Sequence, residues 1–568
     1  MYRSFCGCVA FLMSCTQLYA EDWLSFRGPN GSGVSASSLP ASWTPTANIA
    51  WKSELPGPGV SSPIIVGSKL FLTCYSGYGI DRSKPGEIEN LKRHLICFDA
   101  NNGKKLWQKD LPAALPEDPY SGIGVTAHGY ASHTPVSDGE SVFVFFGKSG
   151  ALAFNLDGEQ LWQTNLGKES DPWAWGSSSS PILYENTLIV TASAESQSIV
   201  GLDKKSGKEL WRQEASGLDG MWGTPTLVRI DDKRTDLVLS VPKEMWGLNP
   251  KSGKLIWRCN STNADQSHSS AISLGDTVVA FSGRGGGSIA VRAGGKGDVT
   301  ESNVVWTGRD SDRFASPVGH NGNVYLVANG MITAINGKTG EKLSQLRLTG
   351  GLPAGGGGGF GSADYGSPVI AGNKLYYTKG TGETFVFDLT GELKQLSVNL
   401  LTTEKETFGG SPAVSNGKIY IRSDKNLYCV TDLKQDVPLN ASASLLAKKD
   451  DNEPEERPRQ GGFGGGPGGG GGGGRGGFDP AAFFKERDKN SDGKLSVEEV
   501  AGSPMADRFS ELDKDKDKGI NLEEFRASMQ GGFGGGRGGA QGGGGRGGFG
   551  GRGDDKRPKR DQRPAPDA

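Results

Sequence analysis

One segment recurs eight times between residues 51 and 432, and this recurrence constrains the fold more than any other feature of the chain. The copies begin at Ser62, Thr134, Ser180, Thr224, Ser270, Ser316, Ser367 and Ser411, and all but the fifth continue with Pro. After that come alternating apolar residues, a Gly or Asn turn and a second apolar run. Pro317 to Val327 is typical: the alternation is that of a half-buried strand, and Asn321-Gly322 is a tight-turn signal, so the segment predicts a hairpin.

A second unit follows each hairpin. It reads Asp99, Gly103, Trp107 in the first copy, then Asp203, Gly207, Trp211 and Asn249, Gly253, Trp257, with degenerate versions elsewhere. Asp or Asn at a strand end bonds the turn backbone, Gly supplies positive φ, and Trp packs onto the next strand. Four strands per repeat predict propeller blades. The eighth copy ends near Asp432 without its Trp unit, and a spare outer strand, Ile49 to Lys52, precedes the first hairpin. The two are expected to join, which removes an open sheet edge. The prediction is an all-β, eight-bladed β-propeller over 22–433. Four cysteines remain after residue 20. Cys97 and Cys429 fall in a column of small residues two before the Asp, so they are expected to be core thiols.

The Asp-x-x-x-Gly-x-x-x-Trp units resemble PQQ-like (quinoprotein-type) propeller repeats. The leader Trp23 to Gly31 and the blade-five variant Ala290 to Val299 resemble those of secreted bacterial members. The resemblance covers about 22–433 and implies the propeller. For function it implies either a non-catalytic scaffold or a quinone-dependent dehydrogenase. Family dehydrogenases stack the quinone between a Trp and a disulfide of adjacent cysteines, hold Ca²⁺ with Glu, Asn and Asp, and use an Asp base. This chain has no Cys-Cys pair and few long insertions. The main expectation is therefore a binding or scaffold module. The alternative is a PQQ-dependent alcohol or sugar oxidoreductase.

Residues just before each inner hairpin rim one mouth of a propeller channel. Here they include His128, Tyr130, His133, Trp173, Trp175, Asp219, Trp222, Asp265, His268, Asp312, Arg313, Asp364, Tyr365 and Phe408. His128, Tyr130, His133, Trp175, Trp222, His268, Arg313, Asp364 and Tyr365 are the candidate ligand-binding set. The ligand class stays open between protein, glycan and small molecule. The plainer alternative is that Trp and Tyr fill the taper of a small-bore propeller and the polar residues are solvated.

From Asp451 the chain becomes charged and then poly-Gly, so 434–478 reads as a disordered linker. At 479–530 comes an expected EF-hand pair. In the first loop Asp488, Asn490 and Asp492 supply side-chain oxygens, Lys494 its carbonyl, Ser496 an oxygen or a water, and Glu499 both oxygens, with Gly493 at the sharp turn. In the second loop the corresponding residues are Asp513, Asp515, Asp517, the Gly519 carbonyl, Asn521 and Glu524. Lys518 stands where the motif wants Gly, which predicts a weaker second site. Ca²⁺ is the expected cofactor. Leu495 is expected to pair with Ile520.

Arg3, the apolar run Phe5 to Met13 and Ala20 predict a signal peptide over 1–20, hence export to the periplasm or beyond. Leu12 to Cys15 also approximates a lipobox, with a lipid anchor at Cys15 as the alternative; with it comes the idea of an assembly factor like the outer-membrane propeller lipoprotein. No apolar run is long enough for a transmembrane helix. The tail, 531–568, reads as disordered and Gly/Arg-rich. A net charge of -2 and export together exclude nucleic acid as an expected partner.

Overall fold

The structure is a computed structural model. It describes residues 21–567 except 123, 284–285, 312–313, 352–364, 443–444, 447–483, 485–487, 489, 491, 498, 501–508 and 526–557. The expected signal peptide, Cys15 and most of the expected linker lie outside the described residues. The chain forms two units, one of residues 1–458 with 552–568 and one of 459–551.

In the first unit the eight repeats make eight antiparallel sheets with four blade strands each. Blade 1 is Ile64–Val66, Lys69–Ser76, Lys92–Asp99 and Lys105–Pro112. The others follow in chain order. Blade 8 takes Ala413–Ser415, Lys418–Arg422 and Asn426–Thr431 from the C-terminal side and Ile49–Glu54 from the N-terminal side. The closing register pairs Trp51 with Cys429 and Ser53 with Leu427. The wheel therefore closes non-covalently between its two ends. Two blades carry an extra parallel strand: Val34–Ser35 on blade 7 and Gly297–Asp298 on blade 4.

A belt of hydroxyls joins the blades around the axis. The backbone N–H of Ser62 donates to Thr134 Oγ1 at 2.9 Å, Thr134 to Ser180 Oγ at 3.0 Å, and Ser180 to Thr224 Oγ1 at 3.0 Å. Thr224 donates to Ser270, Ser270 to Ser316, Ser316 to Ser367 and Ser367 to Ser411, all at 2.9 to 3.0 Å. This is the physical reason for the Ser or Thr that opens seven of the eight repeats: its hydroxyl satisfies an amide on the neighbouring blade. The belt stops at the closure, where Ser62 Oγ is buried without a partner.

A second belt runs outside. The sequence predicts that each Trp packs on the next strand; it packs instead on the turn Gly of the next blade. A Cβ at Gly103 would lie 2.5 Å from the Trp51 ring, one at Gly207 2.5 Å from Trp162, one at Gly253 2.5 Å from Trp211, and one at Gly340 2.6 Å from Trp306. Each of these glycines also has positive φ. The indole N–H then reaches a carbonyl of that next blade, as in Trp162 Nε1 to Lys204 O at 3.0 Å and Trp306 Nε1 to Gly337 O at 2.9 Å. Two depart from this: Trp257 donates within its own blade to Asp236 Oδ2 at 2.7 Å, and Trp211 Nε1 is buried without a partner.

Cys74, Cys97, Cys259 and Cys429 are buried free thiols. The described residues contain no helix long and apolar enough to cross a membrane. The expected linker does not begin at 434: Ser442 Oγ donates to Trp43 O at 3.1 Å, and Leu446 is buried against blades 6 and 7. The expected disorder of the tail also fails at its end. Pro558 to Asp567 lies on blades 3 and 4, because Arg560 and Arg563 find carboxylates there.

In the second unit Leu495 pairs with Ile520 in a two-stranded antiparallel bridge. Phe484, Leu495, Val500, Leu512, Ile520 and Phe525 form its small core.

Candidate functional site

The hydroxyl belt fixes what faces the axis. The residue two positions before each belt hydroxyl lines one axial cavity of about 140 Å³. In blade order these residues are Val60, Ser132, Ser178, Trp222, His268, Phe314, Tyr365 and Gly409. The ring is therefore lopsided, aromatic over blades 4 to 7 and small over blades 8 and 1 to 3. Phe26 reaches the same cavity from the leader. The leader is strapped across the channel mouth: Trp23 bridges Ile65 of blade 1, Leu24 O accepts from Ser137 of blade 2, and Arg27 donates to Pro317 O beside blade 6.

The aromatic wall is continuous. Trp175 and Trp222 lie 5.5 Å apart between centroids, Trp222 and His268 stack at 4.6 Å and 12°, His268 meets Phe314 edge-on at 5.0 Å, and Phe314 lies 4.7 Å from Tyr365. Such contacts hold the rings rigid, each adding about 0.5–1.5 kcal/mol. Trp175 is set by a loop in which buried Asp171 accepts from the backbone N–H groups of Trp173, Trp175 and Gly176 at 2.7 to 2.9 Å. Burial pushes the Asp171 carboxyl up to about 6 despite those donors. Trp222 Nε1 donates to Gly176 O at 2.8 Å, tying the same loop to the wall. His128 closes the small side, with Ser132 Oγ at 2.6 Å and Trp175 O at 2.9 Å. Burial lowers its basicity, so it is a neutral hydrogen-bonding ring near pH 7.

Of the expected set, His128, Trp175, Trp222, His268 and Tyr365 line this cavity. Tyr130 and His133 do not; they lie behind it around a second, smaller cavity. Tyr130 belongs to a cluster with Tyr75, Tyr78 and Tyr120 and donates to Asp118 O at 2.7 Å. Arg313 and Asp364 lie outside the described residues, as does Asp312. Phe314, Val60 and Phe26 are additions that the sequence reading missed. The fixed offset of two from the belt hydroxyl identifies the first two; nothing in the sequence identifies Phe26.

The rear cavity, about 40 Å³, is bordered by charged groups. Arg93 makes a bidentate pair with Glu117 at 2.6 and 2.9 Å, and Lys148 pairs with Asp118 at 3.1 Å. Glu195 is the carboxylate left over. Ser177 Oγ donates to its Oε1 at 2.6 Å and lies 3.1 Å from His133 Nε2, while Oε2 is buried without a partner. Burial pushes Glu195 up to about 7 and His133 down to about 3.

This has a consequence for pH. A carboxyl raised from 4.5 to about 7 by folding binds its proton more tightly in the native state. Its contribution is present in full below about pH 4.5 and fades as pH rises through 7, by about 3 kcal/mol at pH 8. His133 has the opposite sign, losing stability as pH falls below 6.5 towards about 3. Glu195→Gln removes only the first effect. Its melting temperature should exceed that of the unmodified protein at pH 8 and converge with it near pH 4.5. Equal melting points at pH 8 would show that Glu195 ionises freely in the fold.

In the second unit each acidic loop is folded around its own carboxylates. Asp488 accepts from the N–H of Asp492 and of Gly493 at 3.1 and 2.9 Å, and Glu499 Oε1 accepts from Asn490 N at 3.2 Å. In the other loop Asp513 accepts from Asp517 N and Lys518 N, and Glu524 from Lys514 N at 2.8 Å. One oxygen each from Asp513, Asp515 and Asp517 lie within 4.8 Å of one another. Gly493 and Lys518 occupy equivalent turns with φ of 83° and 70°.

Sequence comparison matches the chain over residues 87–220, 157–391 and 298–437 to the family described as outer membrane protein assembly factor BamB. No curated protein matches it. Similar solved structures include BamB from Moraxella catarrhalis, at 14% identity and a TM-score of 0.46, covering 67% of this chain and 99% of that one. A europium-containing methanol dehydrogenase is similar at 10% identity and a TM-score of 0.49, covering 72% and 98%. The quinohemoprotein alcohol dehydrogenase ADHIIG from Pseudomonas putida HK5 gives 11% identity and a TM-score of 0.45, covering 74% and 81%.

Proposed function

Starting from a chain that belongs to the PQQ-like propeller family described as outer membrane protein assembly factor BamB, we propose that this protein is an exported, non-catalytic binding module that holds Ca²⁺ in its EF-hand loops. The observation that carries the binding role is the lopsided axial cavity. A rigid wall of Trp222, His268, Phe314 and Tyr365 faces small side chains, which leaves room for a flat apolar or aromatic group. The occupant is an aromatic side chain of a protein partner or a ring of similar shape. Export rests on the leader residues 1–20.

The quinone reading has less support. A tricarboxylate quinone calls for cationic partners, and the cavity's described lining holds no Lys or Arg. Both lining histidines are held between aromatic rings or hydrogen-bonded neutral. The sequence also lacks an adjacent Cys pair.

Ca²⁺ binding is supported by the three clustered aspartates and by the loop spacing, since a hard cation takes six to eight oxygens. Two measurements test the proposal. Indole titrated into the whole protein should perturb chemical shifts of the aromatic wall, and Trp222→Ala should weaken that binding about tenfold. Dye reduction with an alcohol, after addition of PQQ and Ca²⁺, would overturn the non-catalytic reading.

A further inference from the structure

The last ten described residues bear on a function of their own. Composition groups them with a Gly/Arg-rich tail, yet Pro558 to Asp567 lies extended along the seam between blades 3 and 4. Two arginines three positions apart anchor it. Arg560 makes a bidentate contact with Glu169, at 3.0 and 2.8 Å, and also reaches Glu214 at 3.2 Å and Gln197 at 2.9 Å. Its side chain is only 7% exposed. Arg563 pairs with Glu244, whose carboxylate is 8% exposed and also accepts from Trp246 Nε1 at 2.7 Å.

The backbone of the segment is read as well. Ser216 N donates to Asp561 O at 2.8 Å and Gly217 N to Gln562 O at 3.0 Å. Leu255 N donates to Ala565 O, and Asp567 N to Leu255 O, both at 2.8 Å, so Pro566 bridges the outer strand of blade 4 in parallel. Asn249 Nδ2 reaches Asp567 at 2.9 Å. Pro564 is buried. Gly217 makes the passage possible, since a Cβ there would lie 2.5 Å from Gln562 O and 2.7 Å from Trp246.

We propose that this seam is a peptide-recognition site, selective for an extended Arg-x-x-Arg-Pro segment, and that the chain's own C-terminus is its resident ligand. The recognition has two separable parts. Strand addition at the edge of blade 4 gives affinity without regard to side chains. Specificity comes from planar guanidinium groups on carboxylates, a fit that lysine does not reproduce. Glu244 also has Arg258 of the propeller at 3.6 Å, whereas the tail's Arg560 is the arginine that Glu169 and Glu214 share.

The test uses the full chain, altered only in its tail so that the propeller stays intact. Arg560→Ala with Arg563→Ala should release the segment. A fluorescent synthetic peptide of residues 558–568 should then bind the released chain, and bind the unaltered chain at least tenfold more weakly because the tethered tail competes. Adding Glu244→Gln to the released chain, or replacing both peptide arginines by lysine, should weaken binding at least tenfold. Amide exchange at Ser216, Gly217 and Leu255 should be faster in the released chain than in the unaltered one. Equal peptide binding by both chains, or unchanged exchange at those amides, would overturn the proposal.

Discussion

Trp51→Ala is expected to open the wheel at its seam and to lower unfolding free energy by about 3–5 kcal/mol, the range for removing a buried Trp. Trp51 is the outer-belt tryptophan of blade 8, supplied from the N-terminal side of the chain. Its ring covers Gly103 of blade 1, its Nε1 donates to Ala100 O at 3.3 Å, and Tyr420 of its own blade lies 5.9 Å away. The equivalent tryptophans sit on strands that follow the rest of their own blade in the chain. Trp51 sits on the one strand that joins its blade without a covalent connection, and Tyr420 faces it from the other side of that join; the inner hydroxyl belt is also interrupted next to it, at Ser62. Urea unfolding of Trp51→Ala and of Trp162→Ala should therefore differ, with the former showing the larger loss and a less cooperative transition. Matching losses would mean that closure is no weaker than any other blade junction.

Asp488→Ala combined with Glu499→Ala should remove the tighter of two Ca²⁺ events in calorimetry of the whole protein, leaving the weaker one. In the proposed EF-hand these residues would be the first and last ligands of the loop, and each is already folded back on its own loop backbone. Lys518→Gly should act in the other direction. Lys518 has a φ of 70°, where a side chain costs on the order of 1 kcal/mol, so glycine should tighten the second site about fivefold. Undiminished heat from the double variant would retire the EF-hand assignment of the first loop.

Much of the propeller was legible because its signals are local and repeated. Alternation, Asn-Gly turns and the Asp, Gly, Trp spacing are each set within a dozen residues, and eight copies average out the degenerate ones. The closing strand at Ile49 was legible by counting. The candidate site was legible only in part. Trp175, Trp222, His268 and Tyr365 stood out as unusual residues before a hairpin, but Phe314 did not, and Tyr130 and His133 were drawn in by residue type. Those two line the second cavity instead, a placement that no local spacing reveals.

The amino-acid order by itself determined the number of blades, the strand that completes the last one, and the oxygen spacing of the two acidic loops. Only the tertiary structure decided that Ser or Thr at the start of seven of the repeats serves its neighbour's amide, that Phe26 meets the axial cavity, and that Arg560 and Arg563 lie on blades 3 and 4. The reason is distance along the chain. A turn or a loop is encoded by residues within reach of one another, whereas Arg560 and Glu169 are 391 positions apart and meet only because the wheel has closed.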